Sequence, residues 1–407
     1  MLLLPVGYQF AEGCRHGANV KRFSQNQMSA LFVMLSMQDV IVIGGGLAGL
    51  VSALELARAG HTVTLIERKT YPFHRVCGEY VSNEVRAYVE SLGIDLAGLG
   101  AADIRRFEIS SPSGRLLSSP LDLGGFGISR YTLDYELFLR AQAAGVTFLL
   151  GQSVEDVSFQ DDVFTVTLSH GQTLSGRLVI GAFGKRSRLD KTLDRPFMHQ
   201  PSPYVGVKYH VRIDLPTDVI ALHNFSDGYC GMSAIENDAY CVCYLTTRAN
   251  LRRYGNIPAM ERAVLHQNPH LKAVFDRATF LYAKPEVINE ISFAPKLAVD
   301  HHLLMAGDSA GLITPLCGNG MAMAIHGAKL VSELSDAYLR GQLSRPALEH
   351  QYQQAWSAQF ARRLWVGRTV QKLFGRPWLT EAGIRAFGAF KPALRTVMRQ
   401  THGQVIA

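Results

Sequence analysis

An α/β fold is what this 407-residue sequence predicts: a Rossmann-like nucleotide-binding domain interleaved with a second, β-sheet domain and followed by a C-terminal helical tail. Three observations carry that expectation. A β-branched run, Asp39-Val40-Ile41-Val42-Ile43, enters a glycine-rich turn and then a helical segment. A second glycine-rich turn follows the apolar run Leu303-Leu304-Met305. Between them lie alternating, strand-like runs, and beyond them a long stretch with helical spacing.

The first unit is strand, turn, helix, strand and acid in sequence. Gly44-Gly45-Gly46-Leu47-Ala48-Gly49 supplies the turn, with separate tasks for its glycines: Gly44 for the tight turn, Gly46 for backbone approach to a pyrophosphate, and Gly49 for packing of helix on strand. Leu47 and Ala48 begin the helix, whose N-terminal N–H groups and dipole favour phosphate. Gly60 closes it, His61 to Ile66 reads as the second strand, and Glu67 falls eighteen residues after Gly49, where a carboxylate can accept both ribose hydroxyls, with Arg68 beside it. A lone GxGxxG is weak, whereas the complete unit points to an ADP-containing dinucleotide.

The distal segment narrows the ligand. Gly307-Asp308 follows a strand, and Pro315, Gly318, Asn319, Gly320 and Met321 bring the chain into a helix. An acid placed there can bond a ribityl hydroxyl, while the amides of the helix start face a pyrophosphate or the N1–C2=O edge of a flavin. Two remote phosphate-and-polyol sites suit FAD.

With these motifs the chain resembles the flavoprotein superfamily that contains para-hydroxybenzoate hydroxylase-like monooxygenases, flavin-dependent halogenases and geranylgeranyl reductases. The resemblance covers most of residues 38–340 and rests on Gly44 to Gly49, on Gly307-Asp308 through Pro315, Gly318 and Gly320, and on Arg130-Tyr131-Thr132-Leu133-Asp134. It implies a para-hydroxybenzoate hydroxylase-type fold, with Arg130 near the flavin and Asp134 supporting it. A third element, normally Gly-Ala-Asp-Gly-x-x-Ser, reads Gly181-Ala182-Phe183-Gly184-Lys185-Arg186-Ser187. Phe183 replaces an acid that the family associates with FAD and reduced pyridine nucleotide, which bears on the use of NAD(P)H as reductant. Lys185, Arg186 and Arg188 either meet phosphates or form a solvated loop.

The expected domains are an N-terminal extension at 1–37, an FAD-binding domain at 38–200 and 285–340 with substrate-domain segments within 80–130, a substrate-binding sheet at 201–284, and C-terminal helices at 341–407. The extension has the wrong order of features for a signal peptide and is expected to be disordered or to precede a natural start at Met37. In the middle region, alternation puts Lys208 and His210 on one face of a strand, toward either the flavin cavity or water at a sheet edge.

Composition excludes several other classes. Hydrophobic residues at 47% and charged residues at 18% describe a globular chain, and the net charge of +7 demands no nucleic acid, for which no motif is present. The cysteines at 14, 77, 230, 241, 243 and 317 form neither a dense disulfide framework nor a CxxC zinc pair, so no metal is expected, Cys241 and Cys243 are read as packing residues, and a cytoplasmic setting fits best. No charge-free apolar run is long enough for a spanning helix.

Cys77, in Cys77-Gly78-Glu79, resembles the Cys-Gly-Glu/Asp element of geranylgeranyl reductases and is the candidate catalytic residue, a reactive thiol or else a packing one. Halogenase chemistry loses support because Trp-x-Trp-x-Ile-Pro is absent and the three tryptophans, 356, 365 and 378, lie in the tail. A hydrophobic small-molecule substrate is expected. Reduced flavin, formed from NAD(P)H or another donor, is common to the two remaining branches. A hydroxylase admits O2 beside an electron-rich ring; a reductase excludes it and delivers hydride to a C=C bond while a side chain supplies the proton. Monooxygenation is narrowly favoured on the breadth of the hydroxylase branch, with isoprenoid C=C reduction close behind and a non-catalytic electron carrier further off. The tail interleaves Arg362, Arg363, Arg368, Lys372, Arg376, Arg385, Lys391, Arg395 and Arg399 with aromatic residues, and either lies on the inner face of an anionic bilayer or packs on the body. Oligomeric state is left open.

Overall fold

The computed structural model describes residues 37–200, 202–314, 318–373, 377–389 and 403–407. The extension before Met37, Pro315, Cys317, Arg376, Lys391, Arg395 and Arg399 lie outside the described residues.

The β-branched run forms strand Gln38–Ile43, and Val40 to Ile43 are at most 5% exposed. A strand buried on both faces has no need of alternation, which is why this one reads as continuous Val and Ile. It is central in a sheet ordered Val299–Asp300, Leu303–Met305, Thr173–Gly181, Gln38–Ile43, Val63–Glu67, Thr147–Leu150. From Leu303–Met305 to Thr147–Leu150 the neighbours are parallel. Their carboxyl ends therefore share one edge, where ligands bind in open α/β sheets. Helix α1 (Leu47–Arg58), helix α2 (Arg130–Ala143) and helix α3 (Gly320–Leu339) cover this sheet, and one apolar cluster runs through all of it.

The second sheet runs Thr279–Phe280, Tyr204–Arg212, Ala239–Thr247, Gly228–Ile235, Val219–Phe225, Ala102–Ser110, Leu116–Gly127, Tyr80–Ser82, with Glu286–Ile291 also paired to Tyr204–Arg212. The segments expected within 80–130 join it. The expected boundary at residue 285 is corrected: Glu286–Ile291 pairs in register with the substrate sheet, its Val287 opposite Val207, and the chain returns to the first sheet only at Val299. In the tail, helix α4 (Arg345–Leu373) packs on α3, and helix α5 (Pro377–Ala389) approaches Leu116–Gly127. No helix among the described residues is long and apolar enough to cross a membrane.

Candidate functional site

The four parallel strands Gln38–Ile43, Val63–Glu67, Thr173–Gly181 and Leu303–Met305 deliver their following loops to one cavity of about 1150 Å³. That exceeds the roughly 300–1,000 Å³ of a single small-molecule site and leaves room for more than one ligand. Of the expected cofactor residues, Gly44, Gly46, Leu47, Ala48, Glu67, Arg68, Arg130, Gly307, Asp308, Gly318, Gly320 and Met321 line it, as does Cys77. Gly49 and Asn319 do not. Gly49 serves packing, since a Cβ there would stand 1.9 Å from the Gly44 carbonyl oxygen. Asn319 is wholly buried ahead of α3.

Glu67 is held in place by three donors. The Gly45 N–H donates to its Oε2 at 2.9 Å, the Lys69 N–H to its Oε1 at 3.0 Å, and Arg75 Nη2 to Oε2 at 3.2 Å. Arg75 also donates to the Gly45 carbonyl at 2.8 Å and to Asp134 Oδ2 at 2.9 Å, so one guanidinium ties the glycine turn, the acid and α2 together. The sequence reading missed it, because nothing local in Phe73-His74-Arg75 distinguishes a cross-linking arginine from a solvated one. Arg130 forms a bidentate pair with Asp134, 2.6 and 2.8 Å, as the resemblance implied. Burial works against its charge, but Asp134 outweighs burial and holds its pKa above the ordinary value. Glu236 was missed too. It accepts from the Ser129 N–H at 2.8 Å and the Thr132 hydroxyl at 2.6 Å, fixing the start of α2 and hence Arg130.

The loops after Thr173–Gly181 and Leu303–Met305 are stapled. Ser309 Oγ donates to the Gly184 carbonyl at 3.1 Å and accepts from the Gly184 N–H at 2.9 Å, while Lys296 Nζ donates to the carbonyls of Lys185 at 2.7 Å and Asp308 at 2.8 Å. Phe183 and Lys185 line the cavity between them, and burial lowers the Lys185 pKa.

Lys208 and His210 had been left between the cavity and a solvated sheet edge. The edge position is corrected: their strand is paired on both sides and both side chains are buried. Lys208 Nζ donates to Glu79 Oε1 at 2.5 Å, and His210 Nε2 lies 2.5 Å from Glu79 Oε2. Register places Cys243 opposite Lys208 and Cys241 opposite His210, and the Cys241 thiol donates to the Cys77 carbonyl at 3.3 Å. Glu79, His210 and Cys241 offer ligand atoms within 4.8 Å of one another, but Glu79 already neutralises a lysine, so the group is a charge-balanced cluster.

The glycine turn at the start of α1, the carboxylates of Glu67 and Asp308 on the cavity wall, and Arg130 beside Gly46 are a donor and acceptor set that an adenine dinucleotide with a flavin would fit. Residues 37–364 match the FAD binding domain family. The chain belongs to that family. This flavoprotein is an FAD-dependent oxidoreductase. It is 25% identical over 82% of its length to conditioned medium factor receptor 1 of Dictyostelium discoideum, covering 70% of that protein. With digeranylgeranylglycerophospholipid reductase 2 of Methanothermobacter thermautotrophicus the identity is 25%, covering 80% of this chain and 85% of the reductase. Menaquinone reductase of Mycobacterium tuberculosis gives 26%, covering 80% and 83%. Among solved structures, PqsL of Pseudomonas aeruginosa in complex with 2-aminobenzoylacetate superposes with a TM-score of 0.71 at 19% identity, covering 86% of this chain and all of PqsL, a likeness of fold.

Proposed function

We propose that this flavoprotein reduces a C=C bond in a long, apolar, prenyl-type molecule, using FAD reduced by NAD(P)H. The observation that carries the reading is the size of the cavity and its lining beyond the cofactor loops. Besides those loops it is walled by Phe107, Ile109, Leu222 and Tyr229 of the second sheet and by Ile384 and Phe387 of α5. So apolar a slot, in a cavity of about 1150 Å³, suits a polyprenyl chain better than a compact phenol. Reductases among the relatives, two of them matched over most of both chains, support the same reading.

Reduced FAD, when bound, would supply hydride, and the chain's own residues would bind, orient and exclude water. Gly44, Gly46, Leu47 and Ala48 would hold its phosphates, Glu67 and Asp308 its polyols, and Arg130 would stand near the flavin. The apolar walls would keep water from the reacting carbon, and Cys77 lines the same cavity. Monooxygenation is the second reading, favoured by 29% identity over 154 residues to the FAD-dependent monooxygenase ntnJ of a Nectria species. The deciding experiment is anaerobic. Protein reduced with NADPH or NADH is mixed with a geranylgeranyl lipid, and flavin reoxidation without O2, with saturated product, supports reduction. Reoxidation that needs O2 and yields an oxygenated product sinks it. The same mixing tests NAD(P)H, since a flavin bleached by dithionite but by neither nucleotide requires another donor.

We also propose a cytoplasmic enzyme that meets the inner membrane face through its tail. Trp365 and Trp378, 63% and 67% exposed, and the exposed Arg362 and Arg385 support this reading. Flotation with anionic vesicles, lost in Trp365→Ser/Trp378→Ser, is the expected result.

A further inference from the structure

Lys185 is a cation without a counter-ion on the wall of the flavin cavity. Three other cations of this region are matched: Arg75 with Glu67 and Asp134, Arg130 with Asp134, and Lys208 with Glu79. Lys185 lines the same cavity, yet its ammonium makes no hydrogen bond and no ion pair among the described residues.

The backbone that carries this side chain is clamped. Gly184 exchanges two hydrogen bonds with Ser309 Oγ, and the Lys185 carbonyl accepts from Lys296 at 2.7 Å. The charged and titratable groups that act on the ammonium come from four other segments: Asp308 after Leu303–Met305, Cys77, Cys243 of Ala239–Thr247, and Lys296. Asp308, Cys77 and Cys243 line the cavity as well. Phe183 stands two residues earlier, where the family resemblance leads one to expect an acid, so the loop that would bring a carboxylate to this wall brings an ammonium instead.

An unpartnered ammonium at such a wall is costly. Burial lowers the Lys185 pKa, and Asp308, Cys243 and Cys77 oppose burial only in part. An anion brought into the cavity would remove that cost. Oxidised isoalloxazine is neutral, and two electrons with one proton convert it to an anion. We propose that Lys185 is the cation this cavity presents to the reduced flavin, so that the chain binds reduced FAD more tightly than oxidised FAD.

The inference rests on FAD binding and on neither reading of the organic substrate. The two forms of the cofactor are linked by a thermodynamic cycle, so the ratio of their dissociation constants sets the midpoint potential of the bound flavin. A residue that held only the phosphates would act on both forms alike and leave that potential unmoved.

The test is the midpoint potential of the holoprotein, measured by anaerobic dithionite titration against a reference dye, with neither organic substrate nor nucleotide present. Lys185→Met is expected to cut the preference for reduced FAD on the order of 10- to 100-fold, the strength of one hydrogen bond between charged groups, which lowers the potential by about 30–60 mV for a two-electron couple. Lys185→Arg keeps the charge and should recover most of it. Titration of the apoproteins with oxidised and with reduced FAD should place the loss in the reduced form. The proposal is overturned if Lys185→Met keeps the parent potential, or weakens both forms of FAD equally. A second measurement needs no variant. Acetic anhydride acetylates the neutral amine and spares the ammonium, so mass spectrometry of the parent holoprotein should find Lys185 labelled when the flavin is oxidised and protected when it is reduced. Equal labelling in the two states also overturns the proposal. Failure of anaerobic alkene reduction is a separate outcome and leaves both measurements intact.

Discussion

Glu79 shows what a single residue must satisfy at this site. It is wholly buried, binds Lys208 through one oxygen and His210 through the other, and also accepts from the Arg130 N–H at 2.8 Å. Burial pushes its carboxyl upward, but Lys208 first and His210 next more than offset burial, and its pKa is lowered to about 2. A carboxyl depressed in the folded state contributes stability that is present above its ordinary value of 4.5 and is lost as pH falls toward about 2. Urea midpoints should therefore fall over that window in the parent protein and fall less in Glu79→Gln. Removing only the cation should cost more than removing the pair. Lys208→Met leaves a buried carboxylate unpaired and is expected to destabilise by about 3–5 kcal/mol, whereas Glu79→Gln/Lys208→Met should lose clearly less than the sum of the single changes. Additive losses in a urea double-mutant cycle would remove the coupling. Cys77 belongs to this scale as well: Cys77→Ser with unchanged turnover would reduce it to a packing residue.

The elements that position the cofactor differ in how openly the sequence declares them. The turn at Gly44 to Gly49 is legible because its requirement is steric and local. A Cβ at Gly49 would stand 1.9 Å from the Gly44 oxygen, so Gly49→Val should separate α1 from its strand and yield protein without flavin, read directly from the visible absorbance of bound oxidised flavin. The staple between residues 184–185 and 308–309 was not legible. Lys296 lies far from Lys185 in sequence, and its partners are carbonyls, which carry no residue identity. Arg75 and Glu236 were missed for the same reason, and Glu79, quoted only as part of the Cys77-Gly78-Glu79 element, was given no role, since each acts across the fold on a group whose position only the tertiary structure supplies. The alternation that paired Lys208 with His210 was correct; that their strand is interior depended on pairing with Glu286–Ile291, which alternation cannot reveal. Lys296 also makes a prediction with a sign. Burial lowers its pKa to about 8, with Asp190 and Asp308 opposing in part. The folded state thus releases this proton more readily than the unfolded chain, and stability should rise between about pH 8 and the ordinary 10.5. Lys296→Met should remove that rise and weaken FAD binding, measured by urea unfolding against pH and by flavin titration of the apoprotein.

At the scale of the whole molecule, the chain's end is fastened beneath the same framework. Glu84 is wholly buried, takes a charge-assisted bond from Arg363 of α4 at 3.0 Å, and accepts from the Gly403 N–H at 2.5 Å through its other oxygen. Its backbone carbonyl receives the Ile406 N–H at 2.8 Å, and Ile406 packs against the main apolar cluster. One carboxylate thereby links the segment after Tyr80–Ser82, the long tail helix and the last residues of the chain. α5 lies between those two anchors in sequence, and its Leu379, Ile384 and Phe387 line the cavity. The tail is then part of the site's wall and not an appendage. Arg363→Met removes the cation from a buried pair and should destabilise by about 3–5 kcal/mol. Loss of the Glu84 anchor should also expose the last residues to carboxypeptidase and admit water past α5. If the tail were only docked on a finished body, digestion would increase while the environment of the flavin stayed unchanged. If it closes the slot, the flavin fluorescence of Arg363→Met holoenzyme should become accessible to iodide quenching in step with the carboxypeptidase sensitivity.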